Sequence, residues 1–210
     1  MSRIAEDQFP SPPSAIEVMM TKILIIDGHP DPDRGRFVHA LVQAYVQAAQ
    51  EAGHEVKTID VATAGIGVLH SGREWETETI SPEVKQAQDL ISWAGHIVIV
   101  FPLWLGSMPA LLKGFFERVL RPGFAIGKGT RALSSGLLKG KSARVVVTMG
   151  MPAFFYRLFF FAHSVSSLRR NLLYFVGIKP VRQTLIGSIE NASSRARGLA
   201  LMRELGVRGG

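Results

Sequence analysis

Three short stretches carry residue types able to hold or react with a ligand. In Gly28-His29-Pro30-Asp31-Pro32-Asp33-Arg34-Gly35-Arg36, the side chains of His29, Arg34 and Arg36 offer donors and positive charge. They stand just ahead of a predicted helix whose first N–H groups attract a phosphate. In Pro102-Leu103-Trp104-Leu105-Gly106-Ser107, Trp104 and Leu105 make a flat apolar surface. Such a surface suits a planar aromatic ligand better than a sugar or a metal ion. The third stretch, Gly150–Tyr156, opens an aromatic run that continues to Ala162. On composition alone, Pro30-Asp31-Pro32 reads equally well as a tight turn with both arginines in water. The chain has no Walker A sequence and no GxGxxG. No spacing suggests a metal site, and His39, His54, His70 and His96 read as structural.

The elements that must position these stretches follow from the apolar pattern. Lys22–Asp27 (KILIID) is a short apolar run, read as a buried strand. Phe37–Ala52 reads as a helix with Val38, Leu41, Val42, Tyr45 and Val46 on one face. His54–Val61 alternates as a second strand, and Ala62–Thr79 is a polar, Gly-containing loop. Ser81 and Pro82 are the N-cap and first residue of a helix to Trp93. His96–Phe101 is a third strand, followed by a helix from near Met108 with Pro109 in its first turn. Arg121–Lys141 is again loop, Ala143–Met149 a fourth strand and Gly150–Ala162 a loop. Ser164–Val176 is a helix, Lys179–Ile186 a fifth strand and Ala192–Leu205 a last helix. Strands alternating with helices predict an α/β domain with a doubly wound parallel sheet. The flavodoxin-like order 2-1-3-4-5 is the natural one for five strands, and it brings the three ligand stretches to one edge.

Length and composition bound the rest. The 210 residues suffice for a single domain, predicted over 21–210. Residues 1–20 read as a flexible tail; Met1–Val18 has three prolines, no periodicity and no apolar segment of a secretory signal. There is no Cys, so disulfides and thiolate chemistry are excluded, and a cytoplasmic setting fits. The net charge of +7 favours anionic partners or is plain solubility charge. No Lys/Arg run is dense enough for nucleic acid. No stretch reaches the roughly 18 consecutive apolar residues of a membrane span.

The segments FPLW (101–104), MPALLKGFFERVL (108–120) and PGFA (122–125) make the chain similar to a known family. It resembles the flavodoxin-like NAD(P)H dehydrogenase (quinone) family, which takes in quinone reductases, modulators of drug activity and ancillary subunits of potassium-efflux systems. The GHPDP and TMGMPAFFY loops add to the resemblance. It implies a bound FMN or FAD, NAD(P)H as electron donor and two-electron, ping-pong reduction of a quinone-like acceptor. It also implies that His29 and the segment Arg34, Arg36, Phe37 and Val38 meet the flavin phosphate. Pro102, Leu103, Trp104, Leu105 and Gly106 would line the isoalloxazine, and Thr148, Met149, Gly150 and Met151 its other side. Tyr156 is implied at the ring edge, and Tyr156 and His163 as proton donors in catalysis. The chain departs from the family pattern at three places: Arg36-Phe37-Val38 where Ser/Thr-Phe-Asn is common, Met149 and Met151 for a Thr and a Gly, and Ile126 for a Tyr. The aromatics of Met151–Ala162 are more than one loop can bury in its own core; in the related quinone reductases the acceptor site lies at a two-fold interface, so the resemblance implies a symmetric homodimer with the active sites between subunits. The other reading is a flavin-binding regulatory subunit docked on a membrane transporter, with the basic charge facing anionic lipid. A one-electron flavodoxin carrier fits less well, since flavodoxins are usually acidic.

Overall fold

The computed structural model describes residues 20–77, 79–127, 136–159 and 161–210. The expected tail falls almost wholly outside them, as does the middle of the Arg121–Lys141 loop. Five strands form one parallel sheet: β1 (Lys22–Asp27), β2 (Glu55–Asp60), β3 (His96–Pro102), β4 (Ser142–Thr148) and β5 (Val181–Ile186). Their order is β2-β1-β3-β4-β5, as the sequence predicts. Registers such as Ile26↔Ile99 and Val100↔Val146 bring the ends of β1, β3 and β4 level.

Successive residues of a strand face opposite sides, so a strand covered on both faces must be apolar throughout. β1 and β3 obey this. Leu24, Ile26, Ile97, Ile99 and Phe101 join one core, with Val84 and Ile91 of α3 (Pro82–Trp93) and Leu112, Phe115 and Phe116 of α4 (Ala110–Val119). Ile23, Ile25, Val98 and Val100 join the other, with Leu41 and Tyr45 of α1 (Phe37–Glu51) and Met202 and Leu205 of α7 (Ala192–Arg208). The predicted cap of α3 is present: Ser81 Oγ accepts from the Val84 N–H at 3.4 Å.

Several sequence expectations need correction. Within the expected Ala62–Thr79 loop lies a short helix, α2 (Gly72–Thr77), started by Ser71, whose hydroxyl accepts the Glu74 N–H at 3.2 Å. Ser71 and Glu74 stand at capping-box spacing, a signal the polar surroundings obscured. Pro109 is the N-cap of α4 rather than part of its first turn. The Gly150–Ala162 loop contains a helix, α5 (Ala153–Phe159), hidden because an almost continuous aromatic run shows no helical period. The next helix, α6, begins at His163–Ser167 and continues with π-helical geometry over Leu168–Tyr174. Finally, α7 runs on to Arg208, where Gly209 in the left-handed conformation, φ 72°, closes it.

Candidate functional site

The first loop leaves β1 at Asp27 and is tied by side chains to its own backbone. Asp27 Oδ1 accepts the His29 N–H at 3.2 Å, Asp31 Oδ1 accepts the Asp33 N–H at 2.9 Å, and Asp33 Oδ1 accepts the Gly35 N–H at 3.0 Å. These Asx-type turns fix the loop without apolar packing. The Asp31 N–H donates to His29 Nδ1 at 3.0 Å, which puts the His29 proton on Nε2. The Asp31 carbonyl lies 3.2 Å from the same nitrogen. The neutral ring uses the first contact, and burial does most to keep it neutral by holding His29 below the usual imidazole range. Arg34 pairs with Asp60 at 2.6 Å, and Arg36 with Asp31 at 2.7 Å; both guanidinium groups stay exposed. The arginines thus hold the loop's shape, and Asp60 of β2 and Asp31 of the loop offset much of their charge.

α1 starts directly behind this loop. Its N-cap, Arg36, makes no side-chain cap bond, because a guanidinium has no acceptor. The first-turn N–H groups of Phe37 and Val38 are therefore left for an outside acceptor, although both side chains are buried.

The second loop is a miniature hairpin. Trp104 and Ser107 exchange N–H···O bonds, both 2.9 Å, across Leu105 and Gly106. Leu105 has φ 48° and Gly106 φ 78°, the two positive values a type I′ turn demands. Glycine takes this conformation freely, whereas leucine does so at a cost of about 1–2 kcal/mol. The strained Leu105 is wholly exposed at the tip, and Trp104 stays half exposed. Strain at an exposed apolar residue marks a place held for contact rather than for folding. The Trp104 ring stands edge-on to His29, with centroids 5.9 Å apart, so the first two loops meet. Pro102 is buried and Leu103 half-buried, its N–H donating to the Thr148 carbonyl at 2.8 Å. That bond ties the second loop to the third.

The third loop splits into two parts. Thr148 and Met149 are buried, and the Met149 N–H is spent on the Ile186 carbonyl at 3.0 Å, so neither side chain lines an open surface as expected. Gly150 and Met151 are exposed, and no described residue bonds their N–H groups. Tyr156, expected at a ring edge, is instead buried in the core, and its hydroxyl lies against the backbone N–H groups of Ser164 and Val165. Burial, chiefly, raises its pKa and opposes any ready loss of its proton. The intervening helix explains this: α5 turns Tyr156 inward while Phe154, Leu158 and Phe159 face solvent. His163 is exposed beside Phe161, with ring centroids 6.3 Å apart. The Oγ atoms of its neighbour Ser164 and of Ser107 in the hairpin lie 3.2 Å apart. A cleft of about 530 Å³ runs there, lined by Trp104, Leu105, Met108, Lys113, Ser164 and Ser167.

One pair escaped the sequence. His39, on the first turn of α1, is buried against Asp27, with Nδ1 2.5 Å from Asp27 Oδ2. Its other nitrogen lies 2.9 Å from the Asp31 carbonyl. The spacing of residues 27 and 39 carries no periodic signal; only the strand–loop–helix geometry joins them.

The bay at the carboxyl ends of β1, β3 and β4 can thus receive an anionic group at the uncapped α1 start beside His29 Nε2–H. It can receive a flat apolar body along Trp104 and Leu105, with the Gly150 and Met151 N–H groups on the far side. A flavin has this combination of parts, and the residues present fit it. Among the described residues no cluster of His, Asp and Glu could hold a metal ion.

Comparison with known proteins agrees with this geometry. Residues 21–205 match the family model described as a flavodoxin-like fold. A Haemophilus influenzae protein named as an NAD(P)H oxidoreductase is 33% identical over 178 residues, covering 83% of this chain and 87% of its own. The rat NAD(P)H dehydrogenase [quinone] 1 is 26% identical over 200 residues, 84% of this chain and 72% of its own. The solved NAD(P)H:quinone oxidoreductase of Methanothermobacter marburgensis superposes with a TM-score of 0.75 at 24% identity, over 90% of this chain and 96% of that one, and so shares the fold. This chain belongs to the flavodoxin-like family in which relatives named NAD(P)H oxidoreductase and quinone dehydrogenase are found.

Proposed function

We propose that the protein is a flavin-dependent NAD(P)H:quinone oxidoreductase. The observation that carries this is the meeting of an uncapped helix start and the strained Trp104–Ser107 hairpin in one bay, with His29 touching both. The names of the relatives point the same way. The cofactor is FMN or FAD. When bound, it accepts a hydride equivalent from NAD(P)H and hands two electrons on to the acceptor.

The chain's own residues bind, orient and shield. The Phe37 and Val38 N–H groups and His29 Nε2–H take the phosphate, with charge-assisted bonds of the stronger class. Pro102, Leu103, Trp104, Leu105 and Gly106 support the ring; a face of this kind excludes water on one side. The Gly150 and Met151 N–H groups would serve as preorganised donors to the negative charge that reduction of the bound ring develops. His163, exposed next to the cleft residue Ser164, would deliver a proton to the acceptor oxygen. Tyr156 acts indirectly, as a buried core residue that fixes α5 beside the site. The balance is NAD(P)H plus a proton plus quinone giving NAD(P)⁺ plus hydroquinone.

The exposed faces of Phe154, Leu158, Phe159 and Phe161 adjoin this site and exceed what a monomer ordinarily leaves in water. They form the two-fold interface of a homodimer, with the acceptor bound between subunits. The enzyme works in the cytoplasm. No described helix is long and apolar enough to cross a membrane. Steady-state turnover of NADH and NADPH with a quinone, after loading with FMN and FAD, tests the reading. Parallel double-reciprocal lines are expected; absence of turnover with every donor and flavin combination overturns it.

A further inference from the structure

The Asp27–His39 pair lies beneath the first loop, where ligand binding makes no direct use of it. Both partners of the His39 ring are acceptors: the Asp27 carboxylate at 2.5 Å and the Asp31 carbonyl at 2.9 Å. A neutral imidazole has one N–H and can satisfy only one of them, so the geometry requires both nitrogens to donate and the ring to be an imidazolium. Asp27 divides its two oxygens between His39 and the His29 N–H. Asp31 uses its carbonyl on His39 and its N–H on His29 Nδ1. The result is a closed circuit, Asp27–His39–Asp31–His29–Asp27, that joins the end of β1, the first turn of α1 and the loop between them.

We propose that His39 is the positioning residue of the phosphate site: as an imidazolium clamped between Asp27 and the Asp31 carbonyl, it holds Asp31 so that the His29 ring presents Nε2–H to the ligand's phosphate. The proposal rests on the flavin reading above. It assigns to this buried side chain a part of the anion preference that the exposed, internally paired Arg34 and Arg36 supply only weakly.

Charge follows the same geometry. Burial works against the cation on His39, but the hydrogen bond to Asp27, the Asp31 carbonyl and the Asp27 charge outweigh it and raise its pKa. The two rings sit 5.2 Å apart, and the positive His39 helps keep His29 neutral. The titratable groups facing His39 are Asp27 on β1 and the neutral His29, Asp31 and Arg34 on the loop, and Arg34 is in turn paired with Asp60 at the end of β2. Loss of the His39 proton frees one acceptor, breaks the circuit on one side and lets His29 turn.

The test compares FMN with riboflavin, which lacks only the phosphate, on the full-length chain freed of flavin. The wild type is expected to prefer FMN. That preference should decline as rising pH removes the His39 proton, which the Asp27 partner holds above the usual imidazole range and so above the phosphate's own second ionisation near 6. His39→Ala should cut the preference about tenfold or more, as for loss of charge-assisted positioning, with riboflavin affinity within about twofold and no such pH dependence left. His39→Arg, a permanent cation with donors for both acceptors, should restore the preference and make it independent of pH. A wild type that prefers FMN while His39→Ala keeps the same preference overturns the proposal and leaves the flavin reading standing. A wild type without preference for FMN overturns the phosphate site itself. Should the variants fail to fold, nitrogen NMR of the wild-type His39 ring at neutral pH decides: two protonated nitrogens support the clamp, and one overturns it.

Discussion

Gly187→Ala is the sharpest perturbation that the architecture of the site allows. Gly187 follows β5 and lies under the third loop. A Cβ there would stand 2.3 Å from the Ala153 nitrogen, 2.7 Å from the Met151 oxygen and 2.9 Å from the Pro152 carbonyl carbon. All three are backbone atoms, so no side chain can swing aside. Restoring ordinary contact of about 3.5 Å means moving the 151–153 segment by roughly 1 Å. That segment is bonded where it stands: the Ser188 N–H donates to the Met151 carbonyl at 3.1 Å, and the Ile189 N–H to the Met149 carbonyl at 3.3 Å. Overpacking of this kind costs about 1–3 kcal/mol, and loss of one such bond adds about 1 kcal/mol. A drop of about 2–4 kcal/mol in unfolding free energy is therefore expected in urea, with unchanged slope. Because the displaced segment begins at Met151 and adjoins Gly150, and the N–H groups of both face the site, flavin affinity should fall at least about tenfold as well. Gly67→Ala, where a Cβ meets nothing within 4 Å, is the control and should change stability by less than about 0.5 kcal/mol. A Gly187→Ala protein as stable as the wild type, with normal flavin affinity, would refute this account of how β5 supports the site.

Three other outcomes are expected. Trp104→Ala should weaken flavin binding by about 1–2 kcal/mol, roughly tenfold, yet leave the melting temperature nearly unchanged because the side chain is half exposed; isothermal titration and thermal melts read the two effects. His96 is buried, its Nδ1 2.7 Å from Ser142 Oγ, and burial, then Arg144 and Arg182, push its pKa down to about 4. The unfolded chain takes up that proton first, so its contribution is whole above about pH 6.5 and is lost as pH falls toward 4. It amounts to about 3 kcal/mol, and wild type and His96→Gln compared by denaturation across that window should differ accordingly. Light scattering after size exclusion should show a dimer at moderate concentration, and Phe154→Ser with Phe159→Ser should yield monomers that bind flavin but reduce quinone poorly. A monomeric wild type with full turnover would assign those aromatics to a membrane or transporter partner.

The sheet was legible in the sequence because β1, β3 and β4 are apolar on both faces and each is closed by a glycine- or proline-bearing loop. The hairpin at Trp104 was legible as a flat surface, though not as a strained turn, since nothing in PLWLGS announces that Leu105 takes the left-handed conformation. Tyr156 misled for a related reason: a motif places a residue along the chain, and only the unrecognised helix α5 determines that it points inward. The Asp27–His39 pair was illegible because both residues sit in otherwise apolar segments, where a polar side chain reads as an interruption. Its partner lies across a loop rather than three or four residues away.

Two half-reactions, followed anaerobically in the visible absorption of the bound flavin, decide whether the protein passes electrons from NAD(P)H to a quinone. The released cofactor is identified by mass as FMN or FAD. One equivalent of NADH or NADPH should bleach the flavin and one equivalent of quinone should restore it, each without the other substrate present. A chain that binds flavin yet is bleached by neither nicotinamide, or that binds no flavin at all, would contradict the proposed function.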